Sequence, residues 1–265
     1  MIISDQKKIV FIHIPKCGGT YVRHKLAHLD DRQGAYTSRL EHHRDLGLLN
    51  FVHMPLKTLR DHFPAEYECV TSYFSFAILR DPRDRFASSV AQYCNRYSAT
   101  LFKHHTRVTL QRQVSKLIGQ LTQLDNLYPG DRLPAELIHF QRQSDYTHID
   151  GEQVLSRLVL LKDVDEFLAA LLGSEDLRDV DRTQSNETKI YRNQAIKALA
   201  SIGGKLAPGV AQRLPASISS WIHKSLYRGV NNHFDSVFNN ADVAAFIAEY
   251  YSLDDLLLKK QLETV

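Results

Sequence analysis

A lysine, two glycines and a threonine follow a short apolar run near the start of the chain. Lys16, Gly18, Gly19 and Thr20 come directly after the run that begins at Ile9. Glycines allow backbone N–H groups to converge on one point, and a lysine adds a mobile positive charge. A helix that begins at the threonine would direct its N-terminal amides to the same point. Residues 15–20, the first loop, can therefore bind a phosphate or a sulfate group.

The first loop differs from a Walker-type nucleotide loop. That motif has the pattern G-x-x-x-x-G-K-[ST], in which a lysine follows the second glycine and a hydroxyl side chain binds Mg²⁺. Here Lys16 precedes both glycines, and no lysine follows them directly. A nucleoside triphosphate bound with Mg²⁺ is therefore disfavoured. A plain Gly-Gly turn with a surface lysine is the alternative, and the position between an apolar run and a helical pattern argues against it.

A second charged segment, residues 80–85, follows the apolar run Tyr73–Leu79. In this second loop Arg80 stands at the end of a predicted strand, and Ser88 follows eight residues later, about two turns into a predicted helix. A guanidinium group can bind a phosphate through two parallel hydrogen bonds. The second loop is therefore another candidate for binding an anion.

The remaining charges of the second loop have a simpler interpretation. Arg80 itself could form an ion pair with Asp81 or Asp84 instead of binding a ligand. Arg83 and Arg85 are expected to be solvated charges at the helix end or partners of Asp84.

Strand, loop and helix recur at least three times along the chain. The predicted pairs are Ile9–Ile14 with Thr20–Leu29, Tyr73–Leu79 with a helix from Pro82, and Arg157–Leu161 with Val164–Leu172. This order favours an α/β fold with a P-loop-like, mostly parallel central sheet flanked by helices, and with ligands at the carboxyl ends of the strands. We further expect a short helix at Leu56–His62, a mainly helical insertion at about residues 98–150, a polar loop at Ser174–Tyr191, and C-terminal helices at roughly Ile218–Phe238 and Ala241–Lys260.

Length and composition indicate a single domain, residues 1–265, of ordinary soluble type, with 43% hydrophobic and 24% charged residues. The net charge of +3 does not indicate a nucleic-acid partner, although it suits a small anionic ligand. Cys17, Cys69 and Cys94 form neither a disulfide framework nor a metal motif, so we expect a reducing compartment and no metal. Without a signal-peptide pattern or a long apolar run, the sequence predicts a cytoplasmic protein with no integral membrane segment, membrane-peripheral at most.

The two loops together resemble the cofactor loops of sulfotransferases that use 3′-phosphoadenosine 5′-phosphosulfate (PAPS). The matching segments read FIHIPKCGGTYV and AILRDPRDRFASSV. They are similar to the carbohydrate and membrane-associated branch, which includes the heparan-sulfate 2-O-sulfotransferases. The resemblance covers residues 8–30 and 50–97. Two later segments are more weakly similar, LSRLVLLKDVDEFLAALL and FIAEYYSLDDLLLKK. The second of these looks like a terminal Tyr-x-x-Asp-type helix of that family. Residues 98–150 have no counterpart in it.

This resemblance implies roles for individual residues. The 5′-phosphosulfate would be bound by the first loop and the residue after it, namely Lys16, Cys17, Gly18, Gly19, Thr20 and Tyr21. Arg80 and Ser88, eight residues apart as in the family, would hold the 3′-phosphate. Cys17 departs from the family, where threonine is frequent, but its backbone amide would still serve. Because a lysine and a helix N-terminus lower a thiol pKa, Cys17 is also expected to be sensitive to oxidation.

Transfer to a hydroxyl group also requires a base, for which a histidine is suited. In the similar 2-O-sulfotransferases a histidine after the first loop is the base, which implies that role for His53, with Lys16 as the donor to the leaving oxygen. A structural histidine before a turn proline is the alternative for His53. His13 is expected to be a hydrogen-bonded core histidine. A carboxylate base, Asp45 or Glu41, is the further alternative, and both are expected to be surface charges.

The function that the resemblance implies is PAPS-dependent sulfation of a hydroxyl acceptor, a carbohydrate or a glycolipid. An ATP-dependent kinase of the P-loop class and a non-catalytic nucleotide- or glycan-binding protein are the alternatives. The insertion is expected to face the acceptor, where basic residues could contact an anionic saccharide: Lys103, Arg107, Arg112 and Arg132. Asn186 echoes an asparagine near the 3′-phosphate in the family.

Overall fold

The computed structural model describes residues 1–37, 40–173 and 234–263, together with the backbone of a strand pair at residues 189–191 and 227–229. Its strands are β1 (Ile2–Ser4), β2 (Ile9–Ile12), β3 (Leu40–His43), β4 (Gly47–Asn50), β5 (Phe74–Leu79), β6 (His148–Ile149), β7 (Glu152–Gln153), β8 (Arg157–Leu160), β9 (Lys189–Tyr191) and β10 (Tyr227–Gly229). Its α-helices are α1 (Gly19–Leu26), α2 (Leu56–His62), α3 (Pro64–Ser72), α4 (Pro82–Tyr97), α5 (Arg107–Leu127), α6 (Val164–Leu172), α7 (Asp235–Phe238), α8 (Ala241–Tyr250) and α9 (Ser252–Glu263).

The central sheet has four strands in the order β1-β2-β5-β8. β2 pairs with β5 and β5 with β8, both in parallel, whereas β1 pairs with β2 antiparallel. Helices flank this sheet, so the predicted α/β class with parallel strands is confirmed. Ile12 is paired with Ala77. The chain segments that leave the carboxyl ends of β2 and β5 are therefore neighbours, and these segments are the first and the second loop.

The predicted elements that follow strong apolar runs are confirmed. α2 and α6 have the predicted bounds, and α4 begins at Pro82 as expected. The predicted tail helix Ala241–Lys260 is divided at Tyr251 into α8 and α9. Most of the predicted helix Ile218–Phe238, most of the predicted loop Ser174–Tyr191, and Asn186 lie outside the described residues. Where the two predictions can be compared with the structure, they are wrong at β10, which is a strand and not a helix, and at β9, which is a strand and not a loop, because the two segments pair with each other.

Several elements were not expected from the sequence. The polar stretch at residues 30–46 contains β3, which forms an antiparallel hairpin with β4, and the sequence also gave no sign of β1 or α3. The hairpin strands are mostly exposed, so they lack the buried face that produces an alternating apolar pattern. β1 has only three residues, which is too short to show a pattern at all.

A second apolar core lies beside the one that contains the sheet. It is built from α4, α5, α8 and the segment around Phe140, and it includes Phe86, Leu117 and Phe246, which are buried. Residues 98–150 are mainly helical, as predicted, and they supply much of this core through α5. That this segment faces an acceptor stays a prediction.

Candidate functional site

The first and second loops are in direct contact at the carboxyl end of the sheet. Nη1 of Arg80 donates a hydrogen bond to the backbone oxygen of Lys16 at 3.2 Å. The parallel pairing of β2 with β5 produces this contact, because it places the ends of both strands at the same edge of the sheet. The two predicted anion-binding segments therefore lie side by side and form one candidate site.

Both glycines of the first loop are required by its geometry. Gly18 has φ 77° and precedes α1 as its N-cap, and a Cβ there would lie 2.5 Å from Cδ1 of Leu161. A Cβ on Gly19 would lie 2.1 Å from Cδ2 of the His13 ring. Lys16 also has a left-handed backbone, with φ 65°. The chain thus turns sharply into α1 with no side-chain cap, so the amides of Gly19 and Thr20 at the start of the helix can donate to an anion.

The positive charges at this site are only partly balanced by the protein, because Asp84 lies 3.9 Å from Arg80 while Lys16 has no acidic partner among the described residues. Lys16 is half-buried and forms no ion pair with an acidic side chain of the described residues. Burial and the neighbouring Arg80 guanidinium lower the pKa of Lys16. Two cations that repel each other next to a helix N-terminus create a strong requirement for an anion. The geometry and the donor set fit a phosphate or sulfate group.

The second loop continues into α4 as a row of polar side chains four residues apart. Nη2 of Arg80 lies 3.9 Å from Oδ2 of Asp84, and Ser88 follows one turn later and is half-buried. The carboxylate of Asp81 is not in this row, because it accepts hydrogen bonds from the amides of Arg83 and Asp84 and caps α4. A phosphate bound between Arg80 and Ser88 would compete with Asp84 for the guanidinium group.

Arg85 is not the solvated charge that the sequence suggested. Its side chain is fully buried, with Nη2 3.5 Å from Oδ2 of Asp254, and Nη1 donates to the backbone oxygen of His139 at 3.2 Å. Arg85 lies on the inward face of α4, and its partner carboxylate is distant in the sequence, so no local pattern revealed the pair. Arg83, by contrast, is exposed as expected and donates to Asn239.

The expectation of a reactive thiol at Cys17 is wrong. The side chain is 1% exposed, and burial raises the pKa of the Cys17 thiol to about 12, which outweighs the effect of the nearby arginines. The thiol donates to Oε1 of Gln143 at 3.2 Å and thus faces the protein interior. Only the backbone of Cys17 remains for the cofactor role that the sequence predicted.

The next two residues of the predicted cofactor set differ in their surroundings. Thr20 is half-buried, on the first turn of α1. The Tyr21 amide donates to the oxygen of Gly18 at 3.0 Å, and its hydroxyl donates to Asp165 on α6 at 2.7 Å. The hydroxyl of Tyr21 is therefore directed at α6, which leaves Thr20 as the better placed hydroxyl donor of the two.

Three buried histidines lie next to the first loop. The His53 ring is edge-on to the rings of His13, at 4.5 Å between centroids, and His139, at 5.4 Å. Nδ1–H of His53 donates to the backbone oxygen of His13 at 2.9 Å, so Nε2 carries the lone pair. Burial, together with the mutual influence of the rings, lowers the pKa of His13 and of His53 well below the usual value. His13 is buried as predicted, but its Nδ1 has no hydrogen-bond partner among the described residues.

His139 and Gln143 were not predicted from the sequence as residues of the site. The His139 ring lies 5.4 Å from the His53 ring between centroids, and burial together with the charge of Lys16 lowers the pKa of His139 to about 3. Gln143 contacts both loops through its side-chain amide. Glutamine is usually exposed, and one histidine among thirteen is not distinctive, so no sequence signal marked either residue.

The C-terminal Tyr-x-x-Asp pattern has a clear structural role. The Tyr251 hydroxyl donates to the backbone oxygen of Phe140 at 2.8 Å. The Asp254 carboxylate accepts from the amides of Gln143 and Ser144 at 2.8 and 2.9 Å. α9 and the residue before it therefore hold residues 139–144 against the two loops.

The other charged candidates lie at the surface. Glu41 and Asp45 are exposed on the β3–β4 hairpin, as expected, and so are Lys103, Arg107 and Arg112. Arg132 is half-buried and donates to the backbone oxygen of Leu46, which braces the hairpin.

Within the described residues, no cluster of histidine, cysteine and carboxylate side chains is arranged to hold a metal ion. No described helix is both long and apolar enough to cross a membrane.

The comparison with protein families gives a match across nearly the whole chain. A family model described as Sulfotransferase family matches residues 1–257, which include both loops, the three buried histidines and the Tyr-x-x-Asp pattern. Neither a curated protein nor a solved structure matches the chain at a significant level. On the family match, the protein belongs to the sulfotransferase family, whose general chemistry is sulfuryl transfer.

Proposed function

We propose that the protein transfers the sulfuryl group of PAPS to a hydroxyl group of a carbohydrate or glycolipid. The observation that carries this proposal is the pair of cations Lys16 and Arg80, held together by two touching loops at the N-terminus of α1. Such a site suits a ligand with anionic groups at two points, one for each loop. The resemblance of both loops to the carbohydrate branch supports the choice of cofactor and acceptor.

When bound, PAPS would supply the sulfuryl group together with a phosphate as the leaving group. Lys16 and the first amides of α1 would bind the 5′ end, where Lys16 stabilises the charge that develops on the leaving oxygen. Arg80 and Ser88 would bind the 3′-phosphate, with Asp84 displaced from the guanidinium group. The chain therefore contributes mainly positioning and electrostatic stabilisation.

We assign the base to His53. The hydrogen bond from its Nδ1–H to the oxygen of His13 fixes the ring in the tautomer whose Nε2 can accept a proton from the acceptor hydroxyl. In the free protein, burial keeps the pKa of His53 low, so the ring is neutral and ready to accept. An anion bound beside Lys16 would favour the protonated ring and raise that pKa towards a useful range.

The three cysteines also bear on the proposal. Cys17, Cys69 and Cys94 are all free and buried. Free thiols support our placement of the reaction in a reducing, cytoplasmic compartment.

The cofactor is tested by titration of the purified protein with 3′,5′-ADP, 5′-AMP and Mg·ATP, followed by calorimetry and thermal shift. We expect 3′,5′-ADP to bind best, and saturation at about 100 times its Kd should stabilise the protein by about 2.7 kcal/mol. Arg80→Ala should weaken this binding, whereas Arg83→Ala, a matched change at an exposed arginine, should not. Preference for Mg·ATP would support the kinase instead, and no binding of any nucleotide would overturn the proposed cofactor.

The base is tested with labelled PAPS and a panel of oligosaccharides and glycolipids. His53→Ala should reduce transfer by about 100-fold or more while 3′,5′-ADP still binds, and His42→Ala, at an exposed histidine of β3, should behave as the wild type. Unchanged transfer by His53→Ala would mean that another group is the base. Tight binding of 3′,5′-ADP without transfer by the wild type would support a non-catalytic nucleotide-binding protein.

A further inference from the structure

One side-chain amide connects the two loops of the site. Gln143 is fully buried. Its Oε1 accepts a hydrogen bond from the Cys17 thiol of the first loop at 3.2 Å and from the Arg80 amide of the second loop at 3.0 Å. Its Nε2 donates to the Arg80 oxygen at 2.9 Å. A single planar group therefore touches both loops through three hydrogen bonds.

The chemistry of these contacts requires an amide. Two donors converge on one oxygen, while the backbone oxygen of Arg80 needs a donor from the same side chain. A carboxylate could accept but could not donate, and an apolar side chain could do neither. The parallel pairing of β5 with β8 ends at Leu79 and Leu160. The side-chain amide of Gln143 therefore forms the hydrogen bonds with the Arg80 backbone that a residue of a neighbouring strand would otherwise form.

Gln143 is itself held from the opposite side. Its backbone amide donates to Oδ2 of Asp254 at 2.8 Å, and that carboxylate is paired with Arg85 on α4. The bridge is therefore anchored to both the helix that follows the second loop and the C-terminal helix α9. Such an anchored, fully buried amide leaves the loops little freedom to separate.

We propose that Gln143 is a positioning residue that sets the separation of the two loops, so that one ligand can bind to both at once. The ligand part of this inference rests on the proposed function, in which the first loop binds the 5′ end and the second loop the 3′-phosphate. A site already arranged in its bound geometry does not lose affinity to the ordering of its loops. The same bridge explains why Cys17 faces inward, since its thiol attaches the first loop to the amide.

The first test needs no ligand. Gln143→Met keeps the length of the side chain but removes all three hydrogen bonds. The matched control is Gln141→Met, since Gln141 is also buried and hydrogen-bonded, but to Leu133, Asp131 and Asp145 instead of the loops. In hydrogen–deuterium exchange, Gln143→Met should speed exchange at residues 14–21 and 79–85 together, and Gln141→Met should not. Equal exchange in the two variants would overturn the proposal.

A milder pair of variants covers the case in which Gln143→Met does not fold. Cys17→Ala removes the bond between the first loop and the amide, along with the longer contact of the thiol with the Pro15 oxygen at 3.5 Å inside the same loop, whereas Cys17→Ser retains a donor at that position. Exchange at residues 14–21 should rise in Cys17→Ala and be largely restored in Cys17→Ser. No rise in Cys17→Ala would count against the bridge.

The second test uses nucleotides that reach one or both loops. In Gln143→Met, affinity for 3′,5′-ADP should fall by about tenfold or more, because the loops must then be ordered when the ligand binds. A tenfold loss of affinity corresponds to the net free energy of about one hydrogen bond. Affinities for 5′-AMP and 3′-AMP, which each reach one loop, should change much less. Equal losses for all three nucleotides would overturn the positioning role. If the wild type binds none of them, the proposed cofactor is wrong, and the exchange result alone decides the role of Gln143.

Discussion

Replacement of Asp254 by leucine should destabilise the protein far more than an ordinary substitution. The Asp254 carboxylate and the Arg85 guanidinium are both 0% exposed, with 3.5 Å between Nη2 and Oδ2. The carboxylate also accepts from the amides of Gln143 and Ser144. Asp254→Leu leaves a buried charge without a counter-ion, which costs about 3–5 kcal/mol. Two amides that lose their acceptor add to this, so we expect a loss of about 5 kcal/mol.

Urea unfolding followed by circular dichroism gives the free energy of unfolding, and a thermal scan gives Tm. A loss of about 5 kcal/mol corresponds to a fall in Tm of about 10–20 °C for a chain of this size. Asp255→Leu is the matched control, because the Asp255 side chain is 47% exposed and pairs only with Lys259 among the described residues; it should cost about 1 kcal/mol or less.

The double variant Arg85→Met/Asp254→Leu separates the charge from the rest of the contact. With both charges removed, no ion is left buried, so the double variant should be more stable than Asp254→Leu alone by about 2 kcal/mol or more. A double variant that is no more stable than the single one would refute the reasoning, because the cost would then come from packing and lost amide bonds.

Three further predictions follow from the site. Gly19→Ala should abolish 3′,5′-ADP binding in a calorimetric titration, because the added Cβ would lie 2.1 Å from Cδ2 of His13. The control is Gly119→Ala on α5, where nothing lies within 4 Å of the added Cβ; this variant should bind normally, and its free energy of unfolding should rise by up to about 1 kcal/mol. Cys17 should resist iodoacetamide in the native protein and react only in urea, as mass spectrometry of the labelled peptides would show, since its buried thiol has a pKa of about 12; labelling in the native state would contradict its burial. The free energy of unfolding should fall as the pH falls from about 7.5 to about 5.5. The three buried histidines have lowered pKa values, so over this range only the unfolded chain takes up their protons, and each histidine contributes about 1.4 kcal/mol to the fall. Urea unfolding of His139→Gln should therefore show a pH dependence that is weaker by about 1.4 kcal/mol.

The parts of the fold that depend on local patterns could be predicted from the sequence. β5, α2 and α6 follow from apolar runs and helical spacing, and Pro82 marks the start of α4. The two loops were identified in the same way, because glycine, lysine and arginine at a strand end are a local signal. Their contact could be anticipated only in general terms, from the rule that parallel strands end at one edge of a sheet.

The errors concern residues whose surroundings are set by distant parts of the chain. Arg85 reads as a surface charge because its partner carboxylate lies on α9, and Cys17 reads as a reactive thiol because the glutamine that buries it is 126 residues away. Gln143 and His139 lie in a polar segment with no periodic pattern. The residue types at the strand ends indicated which groups could bind an anion, whereas contacts with distant parts of the chain determine which of those groups face the site.

The role of α9 affects when the site can form during synthesis. Asp254 hydrogen-bonds to Gln143 across 111 residues, so a nascent chain that already contains the sheet and both loops still lacks the carboxylate that neutralises Arg85. Contacts of such long range form late in folding. We therefore expect the two loops not to be fixed relative to each other until α9 has been translated. A chain that stops before Asp254 should be digested by proteases at the rate of an unfolded protein. Assembly of the site therefore depends on α9, which lies more than 100 residues after the segment that it fixes.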